Sequence, residues 1–331
     1  MAHFRRSPGA LLKRLRVRLF FLYLRDAAIS RAFAILLRQL EKHIGLLVSG
    51  IHFARGFEML FADPALARRL ETTDALAGVE FARSWAQFNS FTGEVFLPVA
   101  GGHAGFGGID SPLTQAFGLG LDGRVTEADM SAIEDFYRGH NSPINIETCP
   151  LADPSLFKLL NGRGYRPIEY SNVLVRELTG DDSRAWPDTK NKVRVRRPAK
   201  DEAESYSLVV MKSFFESTEF PPEFLNIFKS CFFAAGTFFF LAEVDGVPAG
   251  GGMMSIHRAV ASFGGAGTLP EFRNRGVQTA LLLARIALAA ESGCELAMVA
   301  TNPGSGSQRN VERLGFRVVY TRTKFLREWP Q

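Results

Sequence analysis

The sequence predicts an α/β (α+β) protein built from two related halves, and three observations support this. Residues 261–300 read as a strand, a basic glycine-containing turn, a long apolar helix and a second strand. A hairpin pattern precedes them, with an Asp245-Gly246 turn between two apolar runs. Short motifs also recur at matching offsets in both halves. With 331 residues, 46% of them hydrophobic, the chain is long enough for two packed cores.

The turn before the apolar helix is typical of an anion-binding site. It carries Arg273, Arg275 and Gly276 and leads directly into the helix. The first N–H groups of a helix have no intrahelical acceptor and the helix dipole is positive at that end, so a phosphate binds there favourably. Glycine lets the backbone approach a ligand, and the two arginines add positive charge beside it.

The elements after this turn occur in a characteristic order. Arg273-x-x-Gly276 is followed by the buried helix, by a strand ending at Thr301-Asn302, and by Glu312-Arg313-Leu314-Gly315-Phe316. This order resembles the GNAT acyltransferase superfamily, in which an Arg/Gln-x-x-Gly-x-Gly/Ala loop binds the pyrophosphate of coenzyme A. The resemblance covers residues 192–328. It implies a mixed, mostly antiparallel twisted sheet flanked by helices, with acetyl-CoA as the acyl donor and an amine as the acceptor.

The resemblance also implies which residues contact acetyl-CoA. The contacts at the strand end and pyrophosphate are Thr268, Leu269, Arg273, Arg275, Gly276, Val277, Gln278 and Thr279. The contacts after the next strand are Asn302, Ser305, Ser307 and Asn310, although Ser307 could instead cap the short helix there. No metal is implied, because the cysteines and histidines lack ligand spacing.

Three positions depart from the family pattern. The second small residue of the loop is Gln278, and Val311 stands where many members have a tyrosine that acts as general acid. The strand at 261–267 has no acid that could act as general base. We therefore assign no catalytic acid or base. Two functions stay open, an N-acyltransferase whose amine acceptor attacks directly in a ternary complex, and a non-catalytic acyl-CoA-binding or regulatory module.

The first half repeats motifs of the second. Gly164-Tyr165-Arg166 precedes Arg176-Glu177 by the same offset that separates Gly315-Phe316-Arg317 from Arg327-Glu328. This predicts two tandem GNAT-like domains, each with its own sheet.

The first copy has no Arg-x-x-Gly loop before its helix at 126–140, so we expect it to be degenerate and not to bind coenzyme. Thr126 is predicted to cap that helix, with acids in the first turn. The predicted organisation is a degenerate domain at 59–180, a linker at 181–191 and an acetyl-CoA-binding domain at 192–331.

Positive charge is concentrated at the start of the chain. Residues 1–50 carry a net charge of +8 and the other 281 residues sum to −3, within a total of +5. The slightly acidic body argues against a nucleic-acid partner. Residues 1–58 are predicted to form a basic amphipathic helical extension, which could lie on a membrane surface, pack on the protein body, or be translated sequence upstream of the true start.

The sequence also bears on the compartment and on the acceptor site. Its longest uninterrupted apolar run near the start is far too short to span a membrane. The three scattered cysteines favour a reducing, cytoplasmic compartment. Seven phenylalanines in the helical segments 201–215 and 222–235 and their flanks are interpreted mainly as core, with a large apolar acceptor pocket as the alternative.

Overall fold

The computed structural model describes residues 60–186, 193–215 and 220–329. The extension predicted at 1–58 and the end of the predicted linker, 187–191, lie outside the described residues. The described helices are α1 (Pro64–Phe88), α2 (Glu127–Gly139), α3 (Pro154–Gly162), α4 (Ala203–Phe215), α5 (Pro222–Cys231), α6 (Val277–Glu291) and α7 (Gly306–Arg313). None of these helices is both long and apolar enough to cross a bilayer.

Eleven strands of the described chain form one mixed sheet. They are β1 (Phe96–Val99), β2 (Gly102–Gly105), β3 (Gln115–Phe117), β4 (Ile144–Thr148), β5 (Arg166–Glu177), β6 (Val193–Arg196), β7 (Thr237–Val244), β8 (Val247–His257), β9 (Val260–Thr268), β10 (Leu296–Thr301) and β11 (Arg317–Arg327). Their order is β1-β2-β3-β4-β11-β5-β10-β9-β8-β7-β6. Only the β3–β4 and β9–β10 pairs are parallel in this sheet of the described chain.

The sheet is continuous because the last strands of the two halves are exchanged. β5, the last strand of the first half, pairs with β10 of the second half, and β11 pairs with β4 of the first half. β5 and β11 also pair antiparallel with each other at the centre. The prediction of a separate sheet in each half is therefore wrong, since each final strand finds its hydrogen-bond partners in the other half.

Local sequence signals place the element boundaries. Asp63 caps α1 by accepting a hydrogen bond from the Leu66 N–H at 2.7 Å, and Pro64 occupies the first helical turn, where a missing N–H costs nothing. Asp245 and Gly246 both have positive φ, 52° and 81°, as the tight turn of the β7–β8 hairpin requires. The predicted hairpin is confirmed.

Helices α6 and α4 pack closely on opposite faces of β8. A Cβ on Gly250 would lie 3.0 Å from Val277 of α6. A Cβ on the next residue, Gly251, would lie 2.7 Å from Val210 of α4. Since successive residues of a strand face opposite sides, these glycines bring both helices against the sheet beside β9.

A buried group of charges fixes α1 to the exchanged strand β11. Glu71 is fully buried and accepts hydrogen bonds from the Tyr320 hydroxyl and Arg322 Nε, both at 2.7 Å. Arg322 Nη2 lies 2.8 Å from the Asp74 carboxylate, at an angle that does not make a hydrogen bond. Burial raises the pKa of Glu71 from its ordinary value, and Arg322 opposes that shift. These charges connect the first half to the last strand of the second.

The phenylalanines of α4, α5 and their flanks are not all core. Phe232 is buried, whereas Phe214, Phe215 and Phe233 are each at least 43% exposed. Phe215 packs edge-on against Phe224 with a centroid distance of 5.4 Å. The interpretation as core is wrong for the three exposed rings, Phe214, Phe215 and Phe233. Phe220, Phe224 and Phe228 are partly buried, and Phe228 packs against a buried cluster that includes Phe232.

Candidate functional site

A large cleft opens where the parallel strands β9 and β10 separate. They pair from Val260 opposite Leu296 to Phe263 opposite Val299. Beyond that point β9 pairs only with β8, and β10 only with β5. The gap between them is a cleft of about 960 Å³ that residues of α4, α6 and α7 also line.

The start of α6 faces this cleft without a side-chain cap. Gly276 has φ +84°, a left-handed conformation that favours glycine, and no side chain caps the helix. The first intrahelical bond runs from the Ala280 N–H to the Gly276 carbonyl at 3.0 Å. The N–H groups of Val277, Gln278 and Thr279 therefore have no intrahelical acceptor, and all three residues line the cleft.

A bulge in β9 shapes the middle of the cleft. Between the pairs Gly251–Gly267 and Met253–Gly264, β9 contains one residue more than β8. Gly265, inside this bulge, has φ +52° and lines the cleft together with Ala266. The extra residue interrupts the regular ladder of β8 and β9 beside the cleft.

Residues after β10 form the opposite wall. Ser305 caps α7 by accepting a hydrogen bond from the Gln308 N–H at 3.1 Å, and its own N–H donates to the Asn302 carbonyl at 3.2 Å. Ser307 lies in the first turn of α7 and does not cap it, so the alternative role suggested for Ser307 is wrong. Asn302, Ser305, Ser307 and Asn310 all line the cleft.

Ten of the twelve residues expected to contact acetyl-CoA line this one cleft. The exceptions are Leu269 and Arg275. Leu269 is buried, and its N–H donates to the Ala249 carbonyl at 2.9 Å. Arg275 lies 3.2 Å from the Asp245 carboxylate, and its guanidinium sits 5.4 Å from the centre of the Phe272 ring.

Comparison with known proteins agrees with this arrangement. Residues 202–316, which include the start of α6 and both walls of the cleft, match the model of the acetyltransferase (GNAT) family. This part of the chain, residues 202–316, is therefore a GNAT domain. No match was found among curated proteins.

Comparison with solved structures found similarities at low sequence identity. A GCN5-related N-acetyltransferase from Kribbella flavida is 17% identical with a TM-score of 0.57, over 80% of this chain and 96% of its own. A conserved protein of unknown function from Staphylococcus epidermidis is 13% identical with a TM-score of 0.46, over 61% and 79%. A tandem GNAT protein from the clavulanic acid biosynthesis pathway is 18% identical with a TM-score of 0.47, over 62% and 70%.

The GNAT cleft contains a buried polar atom that lacks a partner. Thr301 is 6% exposed, lines the cleft at the end of β10, and its Oγ1 makes no hydrogen bond within the described chain. Buried hydroxyl groups nearly always have a hydrogen-bond partner, so this hydroxyl can form a hydrogen bond with a polar ligand. The uncapped α6 N–H groups and this hydroxyl both fit a long ligand with an anionic end and polar groups along its length.

Two arginines of the GNAT cleft were missed by sequence reasoning, Arg285 on α6 and Arg313 at the end of α7. Arg285 is only 2% exposed, and desolvation lowers its pKa to about 10. One signal could have revealed it, because Arg285 is the sole charged residue from Val277 to Ala290.

The described lining of the cleft is positively charged and has no group for proton transfer. Its ionisable residues are Arg273, Arg285 and Arg313, with no Asp, Glu, His, Cys or Tyr among the lining residues. Val311, at the position of the general acid found in many GNAT members, is 2% exposed and lines the cleft. The arrangement binds anions and positions them, while acid–base catalysis by a lining side chain of the described residues is not available.

Helix α2 of the first half begins differently from α6. Thr126 and Asp129 form a capping box, in which Thr126 Oγ1 accepts from the Asp129 N–H at 3.2 Å and Asp129 accepts from the Thr126 N–H at 2.8 Å. Glu127 adds a second acid in the first turn. The predicted cap is confirmed, and the negative charge makes this helix end unsuitable for a phosphate.

Proposed function

We propose that this GNAT protein transfers an acyl group, acetyl in the simplest case, from acyl-CoA to an amine. The observation that carries the proposal is the uncapped N-terminus of α6, which faces a cleft continuing between the separated strands β9 and β10. This combination supplies hydrogen-bond donors for a phosphate at one end and a path through the sheet at the other.

The twelve residues expected from sequence divide into three groups in this proposal. The N–H groups of Val277, Gln278 and Thr279, with Gly276 and Arg273, hold the pyrophosphate. Thr268 and Leu269 contribute through the end of β9, and Asn302, Ser305, Ser307 and Asn310 contribute from the other wall. Arg275 is a weaker candidate, because its nearest charged neighbour is Asp245, outside the cleft lining.

The chemistry requires positioning more than proton transfer. The amine nitrogen attacks the thioester carbon, the new C–N bond forms, the C–S bond breaks, and the thiolate leaves with the electron pair. We assign stabilisation of the oxyanion to backbone N–H groups near the bulge at Gly265. The amine loses one proton to water and the thiolate gains one, so no lining acid or base is needed if the acceptor arrives as the free amine.

The duplication completes the proposal. We assign the first half to a second, degenerate GNAT copy, since β5 and β11 occupy equivalent places about the centre of the sheet and each half has one parallel strand pair among the described strands. In this proposal the copy completes the sheet and does not bind coenzyme. The buried free thiols of Cys149, Cys231 and Cys294 fit a reducing, cytoplasmic environment. A membrane-surface role for residues 1–58 is not favoured.

A second candidate is a non-catalytic acyl-CoA-binding module. Val311 and the absence of an ionisable acid or base among the described lining residues favour it. It predicts coenzyme binding without turnover.

One experiment separates the two candidates. Purified protein is titrated with acetyl-CoA by calorimetry, and free-thiol release is then followed with a panel of small amines and amine-bearing peptides. Binding together with amine-dependent thiol release supports the acyltransferase. Binding without release on any acceptor supports the module, and absence of binding refutes both.

A further inference from the structure

Arg285 is a buried cation without an anionic partner in the described chain. Its side chain is 2% exposed, and no carboxylate of the described residues lies within ion-pair distance of it. The contacts that it makes are neutral. Nε donates to the Leu281 carbonyl at 3.1 Å, Nη1 lies 3.4 Å from the Met253 carbonyl, and the guanidinium sits 4.9 Å from the centre of the Phe263 ring.

These contacts do not account for a charge at this position. Removing a guanidinium from water is costly unless an opposite charge compensates it, and buried cations are normally paired. Nη2 makes no hydrogen bond to the described residues, and the side chain lines the cleft. A side chain that served only packing at this helical position would be apolar, as Leu281, Leu282 and Ile286 are.

The position along α6 separates Arg285 from the phosphate-binding end. It lies eight residues after Val277, which corresponds to about 12 Å along the helix axis at 1.5 Å per residue. It contacts Phe263, the last residue of β9 that pairs with β10. Arg285 therefore lies at the inner end of the cleft, where the strands separate and where the proposed function places the acyl group.

The coenzyme phosphates do not explain this arginine. They are assigned to the start of α6 and Arg273, at the opposite end of the cleft. No described residue that lines the cleft carries a negative charge. An anion that pairs with Arg285 must therefore belong to the reacting end of a substrate.

We propose that Arg285 binds a carboxylate carried by one of the two reactants and so makes the protein selective for a carboxylate-bearing substrate. This inference rests on the proposed function, because it takes the inner end of the cleft as the reaction site. The carboxylate can belong to the acyl group of a dicarboxylic acyl-CoA or to the amine acceptor. Both sources offer planar oxygens that match a guanidinium.

The first test compares matched ligands on the full chain. Succinyl-CoA and butyryl-CoA have acyl groups of four carbons that differ in a terminal carboxylate or methyl group. In the donor case we expect succinyl-CoA to bind about tenfold tighter or more, as one charge-assisted bond supplies. In the acceptor case, the protein saturated with coenzyme A binds an amino acid about tenfold tighter than its amide.

Variants then assign the selectivity to Arg285. In Arg285→Met the two ligands of the matched pair should bind with about equal affinity. Affinity for unacylated coenzyme A should change by less than about threefold, because only the inner end of the cleft has changed. Arg285→Lys keeps the charge and retains part of the preference. Arg184→Met is the matched control, since Arg184 is 84% exposed and does not line the cleft. It leaves the preference unchanged.

The results that would overturn the role of Arg285 differ from those that would overturn the proposed function. If coenzyme A does not bind at all, the proposed function fails. If coenzyme A binds but neither the acyl-CoA pair nor the acceptor pair is discriminated by the wild-type protein, the proposed role of Arg285 is overturned. A preference that persists in Arg285→Met overturns it as well. The wild-type comparisons need no variant, so they hold even if Arg285→Met does not fold.

Discussion

The side-chain amide of Gln278 donates a hydrogen bond to Thr268 Oγ1 at 2.9 Å, and so joins the first turn of α6 to the last residue of β9. Gln278 occupies the position where the GNAT loop usually has a small residue. Because its side chain is directed back to the strand, the backbone N–H of Gln278 stays available to the cleft. The bulky residue thus holds the two sides of the turn together.

Replacing Gln278 with alanine tests this relationship. We expect Gln278→Ala to lose about 1 kcal/mol of unfolding free energy, the typical net value of one hydrogen bond, and to keep acetyl-CoA affinity within about threefold. Urea unfolding and calorimetry measure the two quantities. Thr268→Val removes the same bond from the other side and should show a similar loss of stability. A large gain in affinity in Gln278→Ala would mean that the side chain obstructs the ligand.

The left-handed glycine at the start of α6 can be tested against one at its end. Gly276→Val should cost about 1–2 kcal/mol of stability, because a side chain disfavours φ +84°, and should weaken acetyl-CoA binding about tenfold or more. Gly293, just beyond the end of the same helix, has φ +76° and equally open space around it. Gly293→Val should therefore show the stability cost without the loss of affinity. Equal affinities of the two folded variants would remove Gly276 from the site.

The two arginines of the turn are expected to differ. Both are exposed, but Arg273 lines the cleft, whereas Arg275 lies outside its lining and pairs with Asp245. Arg273→Ala should weaken acetyl-CoA binding by about 1.5–3 kcal/mol, as the loss of a hydrogen bond to a charged group does. Arg275→Ala should change it by less than ~1 kcal/mol, as for an exposed ion pair. Calorimetry at two salt concentrations checks both values, and a larger effect at Arg275 would reverse the assignment.

The number of coenzyme molecules per chain tests the degenerate first half. Thr126 and Asp129 close the start of α2 with a capping box, and the parallel strands of that half share a single bridging pair, Ala116 with Ile146. We expect calorimetric titration with acetyl-CoA to show one site per chain. Gly276→Val serves as the control, since it should abolish or weaken that one site. Two equivalents per chain would refute a single-site protein.

The buried pair of Glu71 and Arg322 should control stability. Glu71→Ala removes the carboxylate that accepts hydrogen bonds from Arg322 and Tyr320 and leaves Asp74 as the remaining ion-pair partner of the buried arginine. It should cost about 3–5 kcal/mol in urea unfolding. The double variant Glu71→Leu with Arg322→Met replaces both charges by apolar groups, so it should recover most of that loss. The control Asp135→Ala breaks an exposed pair with Arg138 and should cost less than ~1 kcal/mol. If Glu71→Ala leaves the free energy of unfolding unchanged, the pair does not hold α1 to β11.

Local signals in the sequence were sufficient for the elements and for most of the candidate site. The Asp245-Gly246 turn, the cap at Thr126 and the glycine before α6 each depend on neighbouring residues alone, and the structure agrees with them. Ten of the residues that the family pattern predicted as contacts line one cleft, because they lie in consecutive turns and helix starts. Val311 at the acid position is equally visible in the sequence.

The tertiary structure alone decided which strands pair and which charges are buried. The repeat of Gly164-Tyr165-Arg166 predicted two copies, but the exchange of β5 and β11 depends on hydrogen bonds between residues far apart in the chain. Sequence spacing likewise gave no sign that Glu71 would meet Arg322, or that Arg285 would lie in the cleft without an acidic partner in the described chain. Pairing and desolvation are properties of the packed protein, since they depend on what every neighbouring element brings to the same place.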